Sequence, residues 1–250
     1  MKHAWLVSFI RIPMLLFVLA LFTFVFRWTG IDVSFPFSPD LSTICFTVVN
    51  AACFFFMARL LRSEGRSLKA LVGYRKDLLG QDILFGILWV LVLYVPFAAA
   101  LMGTMFLMHG SEFIDHFETV FAGDAEQFAP RPPGLTWFAA VISLLFPFLN
   151  APIEEIMYRG YAQNAFIERT KQAWLGIVIP SLGFAVQHFM LAASMQGAIA
   201  YAAAFFIWGV GSGIIYNQQG RLMPLIICHF IVNIAFSILP ILFLLRGNFV

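Results

Sequence analysis

Long stretches without a charged side chain alternate along the chain with short polar segments. Residues 83–109 and 135–153 contain no Asp, Glu, Lys or Arg, and neither do 172–220 and 222–245. A helix needs about 20 predominantly apolar residues to cross the hydrocarbon core of a bilayer. Each of these runs supplies one span, and 172–220 has room for two. Runs 12–26 and 41–58 are shorter and reach the needed length with their flanks. The pattern predicts spans near 5–27, 41–58 and 83–108, a fourth starting at 135, and three more beyond residue 172. This is an all-α polytopic integral membrane bundle of about seven or eight transmembrane helices. Lys2 and Arg11 precede an apolar stretch that has no small-residue cleavage site before Arg27, so the first span is read as uncleaved.

The polar segments carry opposite charge. Arg59, Arg62, Arg66, Lys69, Arg75 and Lys76 crowd residues 59–76, which places that loop in the cytoplasm. Glu112, Asp115, Glu118, Asp124 and Glu126 face only Arg131 in 110–134, which places that segment outside. Arg169 and Lys171, and then Arg221, mark further cytoplasmic turns. Pro130-Arg131-Pro132-Pro133-Gly134 is a hard break. It divides the chain into N-terminal transmembrane helices, 1–134, and a C-terminal catalytic part, 135–250. With seven spans the C-terminus lies outside, and an eighth helix would reverse it.

Composition sharpens this picture. Of 250 residues, 61% are apolar and 11% charged, far from the usual half and quarter of a soluble domain. A net charge of +2 offers no field for nucleic acid. Thirty phenylalanines suit a surface facing lipid. Cys45, Cys53 and Cys228 all sit in apolar runs, as buried thiols do. Gly209 and Gly213 have the spacing at which transmembrane helices approach closely. Asn50, mid-span, is expected to bridge helices, and Trp28, Trp89, Trp137 and Trp174 to anchor span ends at the interface.

Ionisable groups inside spans are costly, so each is a functional hypothesis. Pro147 and Pro152 are expected to break the fourth run, with Asn150 capping a new helix near Pro152. Glu154 and Glu155 open that helix. Glu155 and Arg159 are four apart and meet on one face, and a structural ion pair is their main expected role. Glu154 is rotated by about 100° from Glu155, which leaves it the freer carboxylate. His188 follows in the next span. His229 and Asn233, four apart, share a face in the last. In an antiparallel hairpin turning near 170, Glu154 lies 16 residues from the turn and His188 lies 18. At 1.5 Å per residue they are level to about 3 Å. The groups can therefore meet in one cavity nearer the cytoplasmic face. Tyr158 and Gln187 adjoin them. Neither Ser181, Ser194 nor Cys228 has a base at hydrogen-bonding spacing, and His3, His109 and His116 read as solvated and passive.

The order Glu154-Glu155-x-x-x-Arg159, Phe184-x-x-x-His188, His229-x-x-x-Asn233 resembles the CPBP intramembrane protease family. That family includes the CAAX prenyl endopeptidases of the Rce type and the bacteriocin-processing and self-immunity (Abi) proteins. The resemblance covers about residues 135–240. It implies a glutamic-type endopeptidase in which Glu154 activates water with help from His188, His229 and Asn233 stabilise the oxyanion, and Glu155 and Arg159 support the site. It implies no cofactor. Zinc or another divalent metal on Glu154, His188 and His229 is the alternative, although no His-Glu-x-x-His pair is present. The expected partners are membrane lipids and a peptide or protein substrate, prenylated or otherwise hydrophobic, in the cell (cytoplasmic) membrane. Two other classes stay open: a non-catalytic self-immunity or scaffold protein on the same fold, and a secondary transporter. A transporter would show inverted repeats and broken helices in both halves, whereas the polar groups here concentrate in the C-terminal half.

Overall fold

The structure, a computed structural model, describes residues 1–31, 37–122 and 132–245. It is built of helices. Helix α1 (Lys2–Phe9) runs into α2 (Arg11–Trp28). The join follows from Pro13, which has no N–H to return to the Phe9 carbonyl. Then come α3 (Pro39–Ser63), the short α4 (Leu68–Val72), α5 (Leu79–His109) and α6 (Phe117–Ala122). The C-terminal part holds α7 (Pro133–Glu155), a π-helical segment Ile156–Gln163, α8 (Asn164–Thr170), α9 (Ala173–Gln187), α10 (Met195–Gln219), α11 (Met223–Ser237) and α12 (Leu239–Leu245). Seven stretches among the described residues are long and apolar enough to cross a membrane, from Lys2–Trp28 to Met223–Leu242. The chain is a polytopic membrane protein with the helical architecture expected from its charge-free runs. The charge-free run 172–220 does hold two spans, α9 and α10. Residues 130 and 131 of the proline-rich break, and Asp124 and Glu126 of the acidic segment, lie outside the described residues.

The outer surface is that of a lipid-facing bundle. On α2, Phe17, Leu21, Phe24 and Trp28 are exposed at spacings of three and four, which is one outward stripe. On α5, Leu84, Leu88, Leu91 and Val95 do the same. In water such continuous apolar faces would aggregate. The inward stripe of α2 is Arg11, Leu15, Val18, Leu19 and Phe26, all buried.

Helix α7 differs from the sequence expectation. Pro147 and Pro152 do not break it, and Asn150 does not cap a new helix; α7 continues through both prolines to Glu155. Neighbouring helices can re-satisfy backbone groups that a proline frees within a membrane. The Asn150 side chain instead accepts a hydrogen bond from Asn50 Nδ2 at 3.1 Å, which ties α3 to α7 as expected of Asn50. The irregularity falls after the glutamates, where the helix widens to π geometry over Ile156–Gln163.

Helices α9 and α10 pack through small residues. A Cβ on Gly209 would stand 2.9 Å from Ser181 Cβ, and one on Gly213 would stand 2.9 Å from Ile177. The closeness lets side chains of the π segment reach α10 backbone: Arg159 Nη2 donates to the Gly209 carbonyl at 3.3 Å and Gln163 Nε2 to that of Gly213 at 2.8 Å. Substituting valine at Gly209 is expected to destabilise the protein by about 1–3 kcal/mol, the usual cost of overpacking. Thermal unfolding in detergent measures it, and an unchanged midpoint would contradict the close packing. Just past the C-terminal end of α10, Arg221 Nη2 donates to both carboxylate oxygens of Asp82 at the start of α5, at 2.6 and 2.5 Å.

Candidate active site

The site is built from four elements: the end of α7, the end of α9, the first half of α11 and, unexpectedly, the junction of α1 and α2. Glu154 and Glu155 are both buried at the end of α7, with Glu154 at 0% exposure. Their side chains diverge, as neighbours on a helix must.

Glu155 turns toward α11. Its Oε1 accepts from Arg159 Nη1 at 3.2 Å and lies 2.9 Å from His229 Nδ1. The expected Glu155–Arg159 pair is therefore formed, and it carries a histidine as well. A carboxylate oxygen accepts, so Nδ1 is the protonated nitrogen and Nε2 is turned the other way. Arg159 also lies over the Phe184 ring, 4.6 Å from its centre, a contact favourable for a desolvated guanidinium.

Glu154 turns toward α2 and α9. Its Oε1 accepts from Arg11 Nη2 at 2.7 Å and from Gln187 Nε2 at 3.0 Å, and Arg11 Nε in turn donates to Gln187 Oε1. Arg11, Gln187 and Glu154 thus close a ring of three hydrogen bonds between buried side chains. Glu154 Oε2 is buried with no hydrogen-bond partner. It lies 3.6 Å from His229 Nε2, beyond direct hydrogen bonding. Glu154 is not the free carboxylate expected from sequence: one oxygen is doubly held, and the other is open.

His188 ends α9, where the helix tightens to a single 3₁₀ turn, His188–Leu191. Its Nδ1 lies 2.6 Å from the Phe184 carbonyl, which can only accept, so Nδ1 carries the proton and Nε2 the lone pair. The ring stacks on Phe205 with centres 3.6 Å apart and meets Phe184 edge-on at 4.6 Å. His229 meets the same Phe184 ring at 6.1 Å, so one phenylalanine packs against both histidines. The residue of α9 that bonds Glu154 is Gln187, one position before His188. The hairpin register expected from residue counting is thus correct to one residue. Asn233 lies one turn beyond His229 on α11, and its Nδ2 is buried without a partner.

Sequence spacing does not single out two groups of this site. It makes Gln187 a neighbour of His188 able to line the cavity, and Arg11 a charge ahead of an apolar stretch. Its signal was present in the phase of α2: it precedes Leu15 by four residues and Val18 by seven, on the inward stripe. The expected common cavity takes the form of a packed cluster, with Glu154, Glu155, Arg159, His188 and His229 all buried.

The alternative metal set is not gathered as ligands. Among the described residues no three His, Cys, Asp or Glu side chains stand close enough to hold a metal ion. Glu154 Oε1 faces a guanidinium, and the Nδ1 atoms of His188 and His229 are engaged by the Phe184 carbonyl and by Glu155.

Comparison with known families matches residues 135–235 to one described as type II CAAX prenyl endopeptidase Rce1-like. Residues 135–235 are thus similar to that family over part of the chain. Every C-terminal group of the cluster, from Glu154 to Asn233, falls within this Rce1-like stretch, and Arg11 falls outside it. The family is one of peptidases, in agreement with the resemblance read from the three motifs. No curated protein and no solved structure matches the chain.

Proposed function

We propose that this chain is a glutamic-type intramembrane endopeptidase that hydrolyses peptide bonds near the membrane with water activated by Glu154. The observation that carries this reading is the state of Glu154: one oxygen fixed by two donors, the other buried and unpartnered beside His229. A water held on Oε2 would give its proton to that carboxylate as its oxygen attacks the peptide carbonyl carbon. The tetrahedral oxyanion would be held by Asn233 Nδ2, which lacks a partner, and by His229 Nε2. His229 donates from Nε2 only as the doubly protonated ring, because Nδ1–H stays on Glu155, and the developing oxyanion is the charge that balances it. Such donors contribute about 3–4 kcal/mol each where they have been removed from other enzymes. Collapse returns the proton to the leaving amine, and no acyl-enzyme forms. His188, with the Nε2 lone pair directed away from Phe184, assists proton movement.

The substrate class that suits this setting is a peptide or protein tail made hydrophobic by prenylation or by its sequence, arriving from the lipid. In this reading the site lies nearer the cytoplasmic face of the cell membrane. Tyr161, seven residues past Glu154, bonds Glu64 at 2.5 Å at the edge of the basic segment 59–76, and seven residues of helix span only about 10 Å.

Purified protein incubated with prenylated CaaX peptides and plain hydrophobic peptides should yield new products by mass spectrometry. Glu154→Ala should yield none, and a strong chelator should leave wild-type cleavage unchanged. Cleavage that survives in Glu154→Ala would remove Glu154 as the base. Cleavage lost to the chelator and restored by a divalent ion would replace this mechanism by a metal-assisted one.

A further inference from the structure

The first span brings a buried cation to the centre of the C-terminal part. Arg11 is 0% exposed, in a helix that crosses hydrocarbon, where an isolated guanidinium is strongly disfavoured. Its Nη2 contacts Glu154 Oε1 at 2.7 Å, and its Nε donates to Gln187, which itself donates to the same Glu154 oxygen at 3.0 Å. The backbone is arranged to permit this. α1 packs on α9 so closely that a Cβ on Gly183 would collide with the Ser8 carbonyl oxygen, three residues before Arg11. Glycine at 183 therefore sets how near Arg11 comes to Glu154.

We infer that Arg11 is the positioning residue for Glu154, supplied by the first span from outside the Rce1-like stretch. This inference rests on the reading of Glu154 as the base. With Gln187 it fixes Oε1, so that only Oε2 can take water and the carboxylate plane is aimed toward His229. Arg11 Nη1 is buried with no hydrogen-bond partner, so the guanidinium is held along one edge, through Nε and Nη2. A merely structural ion pair would hold α2 against α7 without affecting the chemical step. A positioning pair makes the orientation of Glu154, and hence turnover, depend on the cation.

The test uses full-length protein in detergent and the variants Arg11→Gln, Arg11→Lys, Glu154→Gln and the double variant Arg11→Gln/Glu154→Gln. Arg11→Gln should lower kcat at least tenfold with KM within about twofold, and Arg11→Lys should retain about a third to a half of wild-type kcat. The thermal midpoints should be non-additive, because a lone buried charge costs more than a neutral pair. Arg11→Gln should cost much less in the Glu154→Gln background than in wild type. Additive midpoints, or a wild-type kcat in Arg11→Gln, would overturn the assignment. If midpoints are non-additive while wild type cleaves nothing, the peptidase reading is what fails, and Arg11 stands as the residue that fixes Glu154. Should Arg11→Gln fail to fold, Arg11→Lys carries the test. It keeps a cation at position 11 without the fork that holds both Glu154 and Gln187, so kcat should fall about two- to threefold with KM unchanged; a wild-type kcat would overturn the assignment.

Discussion

Glu154→Gln lowers kcat by about 10²- to 10⁴-fold while KM changes little, the range in which loss of a positioned general base falls. The amide has the size of the carboxylate, and its carbonyl can take the place of Oε1, where Arg11 Nη2 and Gln187 Nε2 both donate. Its NH₂ group then occupies the position of Oε2, beside His229 Nε2. A donor there cannot accept a proton from water. Substrate contacts are untouched, so the loss belongs to the chemical step. Steady-state kinetics on any peptide that wild type cleaves, with a melting curve to show that the variant is folded, gives the answer. A folded Glu154→Gln protein with kcat within threefold of wild type would assign the base elsewhere.

Glu155→Ala acts on stability first. Its carboxylate is the counter-charge of Arg159 and the Nδ1 partner of His229, at 3.2 and 2.9 Å. Without it Arg159 keeps the Gly209 carbonyl and the face of Phe184, neither of which carries a full charge. Removing one partner of a buried pair costs about 3–5 kcal/mol. The loss should appear as a large drop in the thermal midpoint in detergent. Arg159→Leu added to Glu155→Ala should return part of it, since the double variant no longer buries a lone charge. Equal loss in single and double variants would show that Arg159 is balanced by something other than Glu155.

Much of this was legible in the chain because the membrane imposes simple rules. Charge-free runs mark spans, and the few polar residues left inside them stand out. Spacing alone paired Glu155 with Arg159 and marked Gly209 and Gly213 for close helix packing, which the structure makes against α9. Residue counting from the turn near 170 placed Glu154 level with the end of α9. What spacing could not supply was contact between distant spans. Arg11 lies 143 residues from Glu154, and a basic residue at the head of a first span is ordinarily an orienting charge. Only its phase with Leu15 and Val18 pointed inward. The prolines misled for a related reason. In water they would end a helix, whereas α7 is enclosed by partners that tolerate the freed carbonyls. Asn150 was therefore free to serve Asn50 rather than a helix terminus.

The π segment after Glu155 has a consequence for insertion and deletion. A helix bonded i→i+5 holds one more residue per turn than its flanks accommodate, so Ile156–Gln163 behaves as an α-helix into which the chain has been lengthened. Removing one residue between Gly160 and Gln163 would let ordinary i→i+4 bonding close through the gap, leaving a helix that is locally more regular. Because the wide turn absorbs its extra residue in place, α8 and the Asn164–Tyr216 contact at 2.9 Å would keep their phase relative to the two glutamates. What changes is the turn itself, where the side chain that now reaches the Gly213 carbonyl from position 163 would be re-aimed. In this stretch the chain can be shortened by one residue without moving the helices on either side, and what is lost is a tie to α10.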